Sequence, residues 1–269
     1  MPTQKRHDDR TPSQTRPLKI QRKFTNHAGG SVLISFGQTR VLCTAMIEKD
    51  LPPWLKAKGP NAGGWLTAEY SMLPSSTTTR KRRDTTKPDG RSVEIQRLIG
   101  RALRSVLNLK ALQNAEGHGL TLFVDCDVLQ ADGGTRTAAI TGAWIAIADA
   151  ISAAQKSNLL PRPPVSRRRS GDVSSFDPTP YAGILTNQVA AISVGIVDGT
   201  PVADLDYEED VEAHVDMNVA MLADGTFVEV QGTGEHATFS TKQLHQMLNL
   251  ATTAISQLHT AQRAALKRK

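Results

Sequence analysis

The sequence of 269 residues predicts an α+β fold, because its strand patterns come in hairpins while its long helical patterns stand apart from them. Two strong turn dipeptides, Asp198-Gly199 and Asp224-Gly225, each separate two strand-like runs. Apolar residues at helical spacing cover 135–156 and 241–266. A doubly wound parallel sheet would alternate single strands with helices, so we expect mixed sheets with long packing helices.

The first part of the chain predicts an arm followed by a hairpin. Residues 1–14 form a basic arm that we expect to be disordered and solvated. Strand-like residues 31–36 and 40–46 flank a turn that contains Gly37, which predicts a β-hairpin. Residues 56–64 are expected to form a loop.

The central part predicts helices around one further strand. Apolar residues repeat at helical spacing over 93–109, and alternation over 120–127 is typical of a strand. The long helix at 135–156 follows two glycines. Residues 161–182 are rich in Pro and Arg and indicate an insertion-like loop.

The last part predicts two hairpins and a terminal helix. Ser240 and Gln243 have the spacing of a capping box at the start of the helix 241–266. We expect residues 261–269 to form a basic C-terminal tail. Cys43 and Cys126 both fall in strand-like runs, and reduced core thiols are favoured over the one possible disulfide.

Composition excludes several classes of protein. With 39 % hydrophobic and 22 % charged residues, the chain is neither a disordered polyelectrolyte nor collagen-like. No apolar run reaches the roughly 18–20 residues that span a bilayer, and the N-terminus lacks the apolar segment of a secretory signal. We therefore expect a cytoplasmic protein with no membrane partner. The formal net charge of +6 by itself favours an anionic partner such as nucleic acid, phosphate or a membrane surface, without deciding among them.

A glycine-rich turn precedes the long helix and has the sequence Asp132-Gly133-Gly134-Thr135-Arg136-Thr137. Glycines allow close approach to the backbone, and the first amides of a helix have no partner within it. An anion at such a position gains about 0.3–1 kcal/mol from the helix dipole, and an arginine can clamp phosphate oxygens. The turn indicates an anion site, although glycines that serve only packing would show the same pattern.

Basic residues crowd the stretch from Arg80 to Arg104, which holds nine Lys and Arg against three acidic residues. Arg80 and Arg83 lie in a Ser- and Thr-rich segment, where cations could contact phosphodiesters without reading bases. Arg91 comes at the start of a helix and could join the anion site. A solvated loop and an ordinary helix face remain the competing interpretation.

Seven carboxylates fall within the thirteen residues 204–216, with no Lys or Arg among them. They are Asp204, Asp206, Glu208, Glu209, Asp210, Glu212 and Asp216. Their repulsion is costly unless a cation or a proton lies among them, and carboxylate oxygens suit Mg²⁺ or Mn²⁺. If residues 202–206 form a strand, Asp204 and Asp206 point the same way. A solvent-facing acidic turn is the alternative.

An anion site, an arginine-rich stretch and a carboxylate cluster are together the parts that phosphoryl transfer on a polyanion needs. Phosphate must be bound, the strand must be held, and charge must be balanced as P–O bonds change. No Ser-His-Asp order and no HExxH motif occurs. The three features therefore favour a phosphoryl-transfer enzyme that acts on nucleic acid.

Several stretches also carry a family resemblance. They include 31–37, 41–45, 65–70, 216–219, 229–233 and two longer runs, Gly90-Arg91-Ser92-Val93-Glu94-Ile95-Gln96-Arg97-Leu98-Ile99 and Asp125-Cys126-Asp127-Val128-Leu129-Gln130-Ala131-Asp132-Gly133-Gly134-Thr135-Arg136-Thr137-Ala138. In this order the chain resembles the ribonuclease PH family, from about residue 15 to residue 260. The second of the longer runs is very specific.

The resemblance implies a fold, an activity and an assembly. Residues 15–260 would form a single domain of the ribosomal-protein-S5-domain-2-like α+β type. The implied reaction is attack of inorganic phosphate, the co-substrate, on the last phosphodiester of RNA. It would trim tRNA precursors and other RNA 3′ ends, releasing nucleoside 5′-diphosphates reversibly. The implied assembly is a homohexamer, built as a trimer of dimers.

The resemblance also implies roles for single residues. Arg91, Gly134, Thr135 and Arg136 match phosphate-binding positions. Asp204 and Asp210 match the paired catalytic carboxylates, and we expect them to hold a divalent cation, Mg²⁺. Arg80 and Arg83 match basic positions on a loop that contacts RNA.

Some residues depart from the family pattern. Ser75 stands where the family often has an RNA-contacting arginine. Asp206 stands where the family usually has a glutamate. Residues 57–63 and 161–182 resemble insertions. Two alternatives stay open, a catalytically silent RNA-binding subunit of an exosome-like ring and a hydrolytic nuclease. Because both phosphate arginines and both aspartates are present, the enzyme is favoured over the silent subunit, and the requirement for phosphate distinguishes it from the hydrolytic nuclease.

Overall fold

The first of two sheets has five strands in the order β1-β2-β3-β5-β4. The strands are β1 Leu18–Arg22, β2 Gly30–Phe36, β3 Thr39–Glu48, β4 Trp65–Met72 and β5 Thr121–Gln130. All neighbours are antiparallel except β4 and β5, which run parallel. The computed structural model describes residues 6–59, 62–83, 89–162, 176–235 and 237–268.

The second sheet is fully antiparallel and has the order β7-β6-β8-β9. Its strands are β6 Val189–Val197, β7 Thr200–Ala203, β8 Val215–Leu222 and β9 Phe227–Gly234. The turns between β6 and β7 and between β8 and β9 contain the Asp-Gly dipeptides that predicted them. The two predicted C-terminal hairpins are confirmed.

Five α-helices and one short 3-10 helix complete the described chain. They are α1 Pro53–Lys56, α2 Gly90–Arg104, α3 Thr135–Lys156, α4 Tyr207–Glu212, α5 Thr241–Lys267 and the 3-10 helix Thr179–Tyr181. Helix α3 contacts β2 and β3 of one sheet and β6 of the other, so it lies between the sheets. The predicted α+β class, with mixed sheets and long packing helices, is confirmed.

The boundaries of helix α2 in the structure differ from those that the sequence predicted. Helix α2 starts at Gly90, three residues before the predicted 93, because the Asp89 carboxylate caps the Ser92 amide. It ends at Arg104 rather than 109. Helix α4 was not predicted at all. Its capping box, made by Asp206 and Glu209, lies within the acidic segment that the sequence suggested for cation binding.

Helix α3 is long and apolar enough to cross a membrane, but 83 % of its most apolar window is buried inside the fold. A helix buried between two sheets is typical of a protein core. The two cysteines also belong to the core. Cys43 and Cys126 are buried, directly opposed across β3 and β5, and both free thiols, as the strand patterns predicted.

The prediction of a disordered arm over residues 1–14 is wrong for residues 6–14. Arg6 and Arg10 are only 8 % and 5 % exposed, and both bind the acidic segment. The Arg6 guanidinium forms a two-bond ion pair with the Glu209 carboxylate and donates to the Ala203 carbonyl at 2.7 Å. Residues 1–5 lie outside the described residues.

Further contacts hold the same arm. Arg10 donates to the Asp204 carbonyl at 2.8 Å and to the Asp206 carboxylate at 3.1 Å. The His7 ring lies 2.7 Å from that carboxylate, and this hydrogen bond raises the pKa of His7. The acidic segment has no cation close to it in sequence, so the arm supplies the charge that its burial requires.

The predicted C-terminal tail is also wrong for residues 261–267, which are the last turns of α5. Arg22 explains why the helix continues, since its guanidinium donates to the carbonyls of Ala265 and Arg268 at 2.8 and 2.7 Å. The Ser240 and Gln243 capping box is confirmed at the other end. Of the insertion-like loop 161–182, residues 163–175 lie outside the described residues.

Replacing Arg6 with alanine should destabilise the protein, because the buried Glu209 carboxylate loses its two-bond partner and keeps only the Arg10 contact at 3.2 Å. Breaking a buried pair on one side costs about 3–5 kcal/mol. Urea unfolding at neutral pH measures the loss. Lys19, an exposed cation in β1, is the matched control, and Lys19→Ala should change stability by less than about 0.5 kcal/mol. Equal effects of the two substitutions would show that the arm is not anchored by its ion pairs.

Candidate active site

The glycine-rich turn lies at one edge of the first sheet, where β5 leads into α3. Gly133 and Gly134 both have positive φ, 70° and 63°. A Cβ at Gly133 would lie 2.5 Å from the backbone carbonyl carbon of Asp206, so the turn packs directly on the segment after β7. The Thr39 hydroxyl donates to the Gly133 carbonyl at 2.7 Å and accepts from the Asp132 amide at 2.9 Å. The first amides of α3 are thereby held at a fixed edge.

Parallel pairing of β4 with β5 brings two helix starts to this edge. The carboxyl ends of parallel strands lie at the same edge of a sheet, and α2 follows β4 as α3 follows β5. The hydroxyls of Tyr70 in β4 and Thr135 in α3 are 2.8 Å apart. This bond fixes the position of the Thr135 hydroxyl beside the amides of Gly134 and Thr135 at the start of α3.

Two arginines stand on the first turns of these helices. Arg91 is exposed at the start of α2, and Arg136 at the start of α3 is 17 % exposed. Both act on the same charged groups, since each lowers the pKa of Asp210 and of Asp216 against the effect of burial. The structure therefore brings the four predicted phosphate residues together, Arg91, Gly134, Thr135 and Arg136.

Two carboxyls face these arginines. Burial raises the pKa of Asp210, while burial and the charge of Asp210 raise the pKa of Asp216 to about 6. The Asp216 Oδ1 atom is buried and has no hydrogen-bond partner among the described residues. Glu235 adds further negative charge to both. The negative charge of these two carboxyls is therefore not fully neutralised by the groups around them, which favours the binding of a proton or a cation.

Asp204 has a different environment from Asp210. Strand β7 ends at Ala203, and Asp204 has a left-handed φ of 58°. Its carboxylate accepts from the Arg16 amide at 2.7 Å and from Arg16 Nη2 at 2.6 Å. The residue is 1 % exposed. The predicted sharing of a cation by Asp204 and Asp210 would therefore require Arg16 to release Asp204.

The strand predicted over 202–206 is wrong beyond residue 203, and with it the common direction of Asp204 and Asp206. Asp206 caps α4 and binds Arg10. Among the described residues, the ligand atoms of His7, Asp206 and Glu209 do lie within 4.8 Å of one another. The guanidinium groups of Arg6 and Arg10 already occupy those carboxylates. This group is an ion-pair cluster and not a second cation site.

Arg16 links the acidic segment to the glycine-rich turn. Its guanidinium donates to the Asp132 carbonyl as well as to the Asp204 carboxylate. Arg80 and Arg83, the predicted RNA contacts, are exposed on the segment after β4. Residues 84–88 between them and α2 lie outside the described residues, so the RNA contact stays a prediction.

Sequence reasoning missed two functional features. Asp216 was one of seven acidic residues, and only the register of β8 beside β6 and β9 places it near Asp210. Arg16 was not singled out as a site residue. A usable signal was present in the sequence, since a carboxylate cluster with no local cation must find one elsewhere in the chain.

Replacing Asp216 with asparagine should remove a pH dependence of stability. Its folded pKa of about 6 lies above the usual value, so the folded state binds the proton more tightly than the unfolded state. That contribution is full below about pH 4 and is lost as the pH rises through 6, a change of about 3 kcal/mol.

Urea unfolding at pH 5 and pH 8, without phosphate and with a chelator, measures this contribution. Asp216→Asn should be more stable than the parent at pH 8, with a smaller difference at pH 5. Asp198, exposed in the β6–β7 turn, is the matched control and should show no such trend on Asp198→Asn. A parent-like pH profile in Asp216→Asn would contradict the assigned environment.

Comparisons with known proteins agree with this geometry. Residues 14–152 match the model of the 3′ exoribonuclease family, domain 1, and residues 187–254 match domain 2 of that family. Curated relatives named ribonuclease PH include those of Synechococcus sp., 49 % identical with 97 % of each chain covered, and Mycobacterium avium, 49 % identical with 98 % of this chain and 92 % of the relative covered.

Solved structures share the fold at low sequence identity. A chain of the Archaeoglobus fulgidus exosome, solved with RNA bound to the active site, has a TM-score of 0.73 and 21 % identity, covering 96 % of this chain and 92 % of that one. An archaeal exosome core chain has a TM-score of 0.68 and 19 % identity over 96 % of this chain and 91 % of that one. With two family models covering most of its length and relatives near 49 % identity, the chain belongs to the 3′ exoribonuclease family.

Proposed function

We propose that this protein is a phosphate-dependent 3′→5′ exoribonuclease, a nucleotidyltransferase that trims tRNA precursors and releases nucleoside 5′-diphosphates. One observation carries the proposal. Arg91 and Arg136 stand at two helix starts and face the half-buried carboxyls of Asp210 and Asp216. Family membership and the relatives named ribonuclease PH support the same activity.

Phosphate binding is assigned to the edge where α2 and α3 begin. The amides of Gly134 and Thr135 and the guanidinium groups of Arg91 and Arg136 present positive charge to one point. A phosphate held there is oriented for attack on the terminal P–O3′ bond, so the effective concentration of the nucleophile rises. The same arginines stabilise the charge that develops on the transferred phosphoryl oxygens.

A carboxyl must supply the proton that the departing 3′ oxygen needs. Asp210 is assigned this role, because burial raises its pKa and it faces both arginines. A carboxyl with a raised pKa holds a proton closer to neutral pH and can give it to a leaving group. The reverse reaction, addition of a nucleotide, would take the proton back.

A divalent cation fits the same carboxyls. The buried Asp216 Oδ1 without a partner, together with Asp210 once it has given up its proton, offers the oxygen ligands that Mg²⁺ prefers. Bound there, the ion would supply positive charge beside the reacting phosphate. Asp204, the second predicted ligand, could contribute only if it exchanged Arg16 for the ion. In the present geometry Asp204 positions the turn through Arg16.

The proposed assembly rests on the family resemblance. Proteins with this fold occur in exosome cores, and the resemblance implies a homohexamer arranged as a trimer of dimers. The same resemblance supports rRNA 3′ ends as substrates in addition to tRNA. We propose a cytoplasmic hexamer, to be tested by light scattering and by cell fractionation.

Incubating the protein with a 3′-extended tRNA precursor tests the reaction itself. Phosphate should be required, and the products should be nucleoside 5′-diphosphates, because phosphate is the attacking group. Monophosphates formed without phosphate would indicate a hydrolytic nuclease, and RNA binding without any product would indicate a silent ring subunit.

Arg91→Ala should raise the phosphate concentration needed for half-maximal rate. Lys156 is exposed at the far end of α3, and Lys156→Ala should leave that concentration unchanged.

Replacing Asp210 with asparagine should lower kcat by about 10²–10⁴-fold, the usual contribution of a general acid, with RNA binding and folding intact.

Asp204→Asn should instead lower stability and activity together, because Arg16 loses its partner. Comparison with Arg16→Met separates two roles for Asp204. If Asp204 acts through Arg16, both variants lose stability and rate in parallel. If Asp204 binds the cation, only Asp204→Asn raises the Mg²⁺ requirement. Full activity of Asp210→Asn would exclude its role.

A further inference from the structure

An aromatic pair with one exposed and one half-buried member lies far from the active site, at the amino end of β4. It consists of Trp54 in α1 and Trp65 in β4, whose ring centroids are 4.9 Å apart in an edge-to-face arrangement. Trp54 is 49 % exposed. About half of the Trp54 surface is therefore open to solvent, where another flat ring could stack on it.

Cations surround the aromatic pair. The Lys58 ammonium lies 5.2 Å from the Trp54 ring centre, and the Arg104 guanidinium lies 5.0 Å from that of Trp65. Arg104 donates to the Leu66 carbonyl at 3.0 Å but forms no ion pair with a carboxylate of the described residues. Burial and the nearby charge of Arg101 lower the pKa of Arg104. A half-buried cation without an anion is a favourable neighbour for a phosphate.

One face of α2 connects the aromatic pair with the active site. Arg97, Arg101 and Arg104 follow one another at i, i+4 and i+7, which places them along a single line on the helix. The same face begins at Glu94, whose carboxylate is 3.9 Å from the Arg136 guanidinium. Arg97 is exposed, and Arg101 pairs with Glu229. From Arg91 to Arg104 the helix rises about 20 Å.

We propose that the Trp54–Trp65 pair is a stacking site for a base of single-stranded RNA, upstream of the 3′ end held in the active site. About 20 Å corresponds to about six stacked nucleotides at 3.4 Å each, so the site would hold a base near the sixth position from the end. The α2 arginines would run beside the intervening phosphates. Stacking on an aromatic face tolerates any base, as an enzyme that removes nucleotides in succession requires.

Charge selects RNA over a protein partner as the occupant. The groups that flank the two rings, Lys58 and Arg104, are cations, and the line leading away from them is also basic. An apolar protein surface would leave these charges unmatched. The proposal rests on the proposed function for the identity of the substrate, but its test measures binding and needs no turnover.

Binding of single-stranded RNA of twelve and of three nucleotides to the full protein, without phosphate, tests the site. Trp54→Ala should weaken binding of the twelve-nucleotide RNA by about 5- to 150-fold, the range for loss of one stacked base, and binding of the shorter RNA much less. Trp54→Phe should retain most of the affinity. Phe24, another exposed aromatic residue at 41 %, is the control, and Phe24→Ala should bind both RNAs as the parent does.

Tryptophan fluorescence gives a second readout. Adding the twelve-nucleotide RNA should quench the parent, and Trp54→Ala should lose most of that quenching. Unchanged affinity and quenching in Trp54→Ala would overturn the proposal, as would equal weakening for both RNA lengths. A change of oligomeric state in Trp54→Ala, seen by light scattering, would instead assign the pair to an interface between copies of the chain. Failure of the proposed function would appear separately, as absence of diphosphate products from the parent protein.

Discussion

The ion pairs between the N-terminal arm and the acidic segment 204–209 are the interaction on which the rest of the site depends. Buried carboxylates are tolerated only with charged partners, and Arg6, Arg10 and Arg16 provide them. The same segment forms the surface on which Gly133 packs. By fixing that surface, the arm fixes the start of α3 and the amides that an anion would meet.

The acidic segment thus has two roles, anchoring the arm and contributing to the candidate active site, and neighbouring residues perform them separately. Glu209 and Asp210 are consecutive in α4, and successive helical residues point about 100° apart. Glu209 faces the arm and is neutralised by Arg6, while Asp210 faces Arg91 and Arg136. Asp216 joins Asp210 from β8 and keeps an oxygen without a partner. The paired carboxylate of Glu209 stabilises the fold, whereas the carboxyls of Asp210 and Asp216 remain available to bind a proton or a cation.

The parallel β4–β5 pair explains why two helices begin at one point. A strand, a helix and a parallel neighbouring strand form one unit in β4, α2 and β5, and the helix after β5 then starts at the edge where α2 started. The Tyr70–Thr135 hydrogen bond ties the two together. Two helix starts and two arginines consequently converge at the carboxyl ends of the two parallel strands, so the phosphate position depends on the sheet.

The sequence by itself determined the hairpins, the long helices, the free core cysteines and the glycine-rich turn with Arg136, because each depends on residues adjacent in the chain. Only the tertiary structure decided the partners of the charges. Asp204 looked free to bind a cation, yet Arg16, 188 residues away, occupies it. Asp216 was only one of seven acidic residues in the sequence, yet strand register sets it beside Asp210. Burial and distance between remote residues determine which carboxylates are neutralised, and a pattern of neighbours in sequence contains neither quantity.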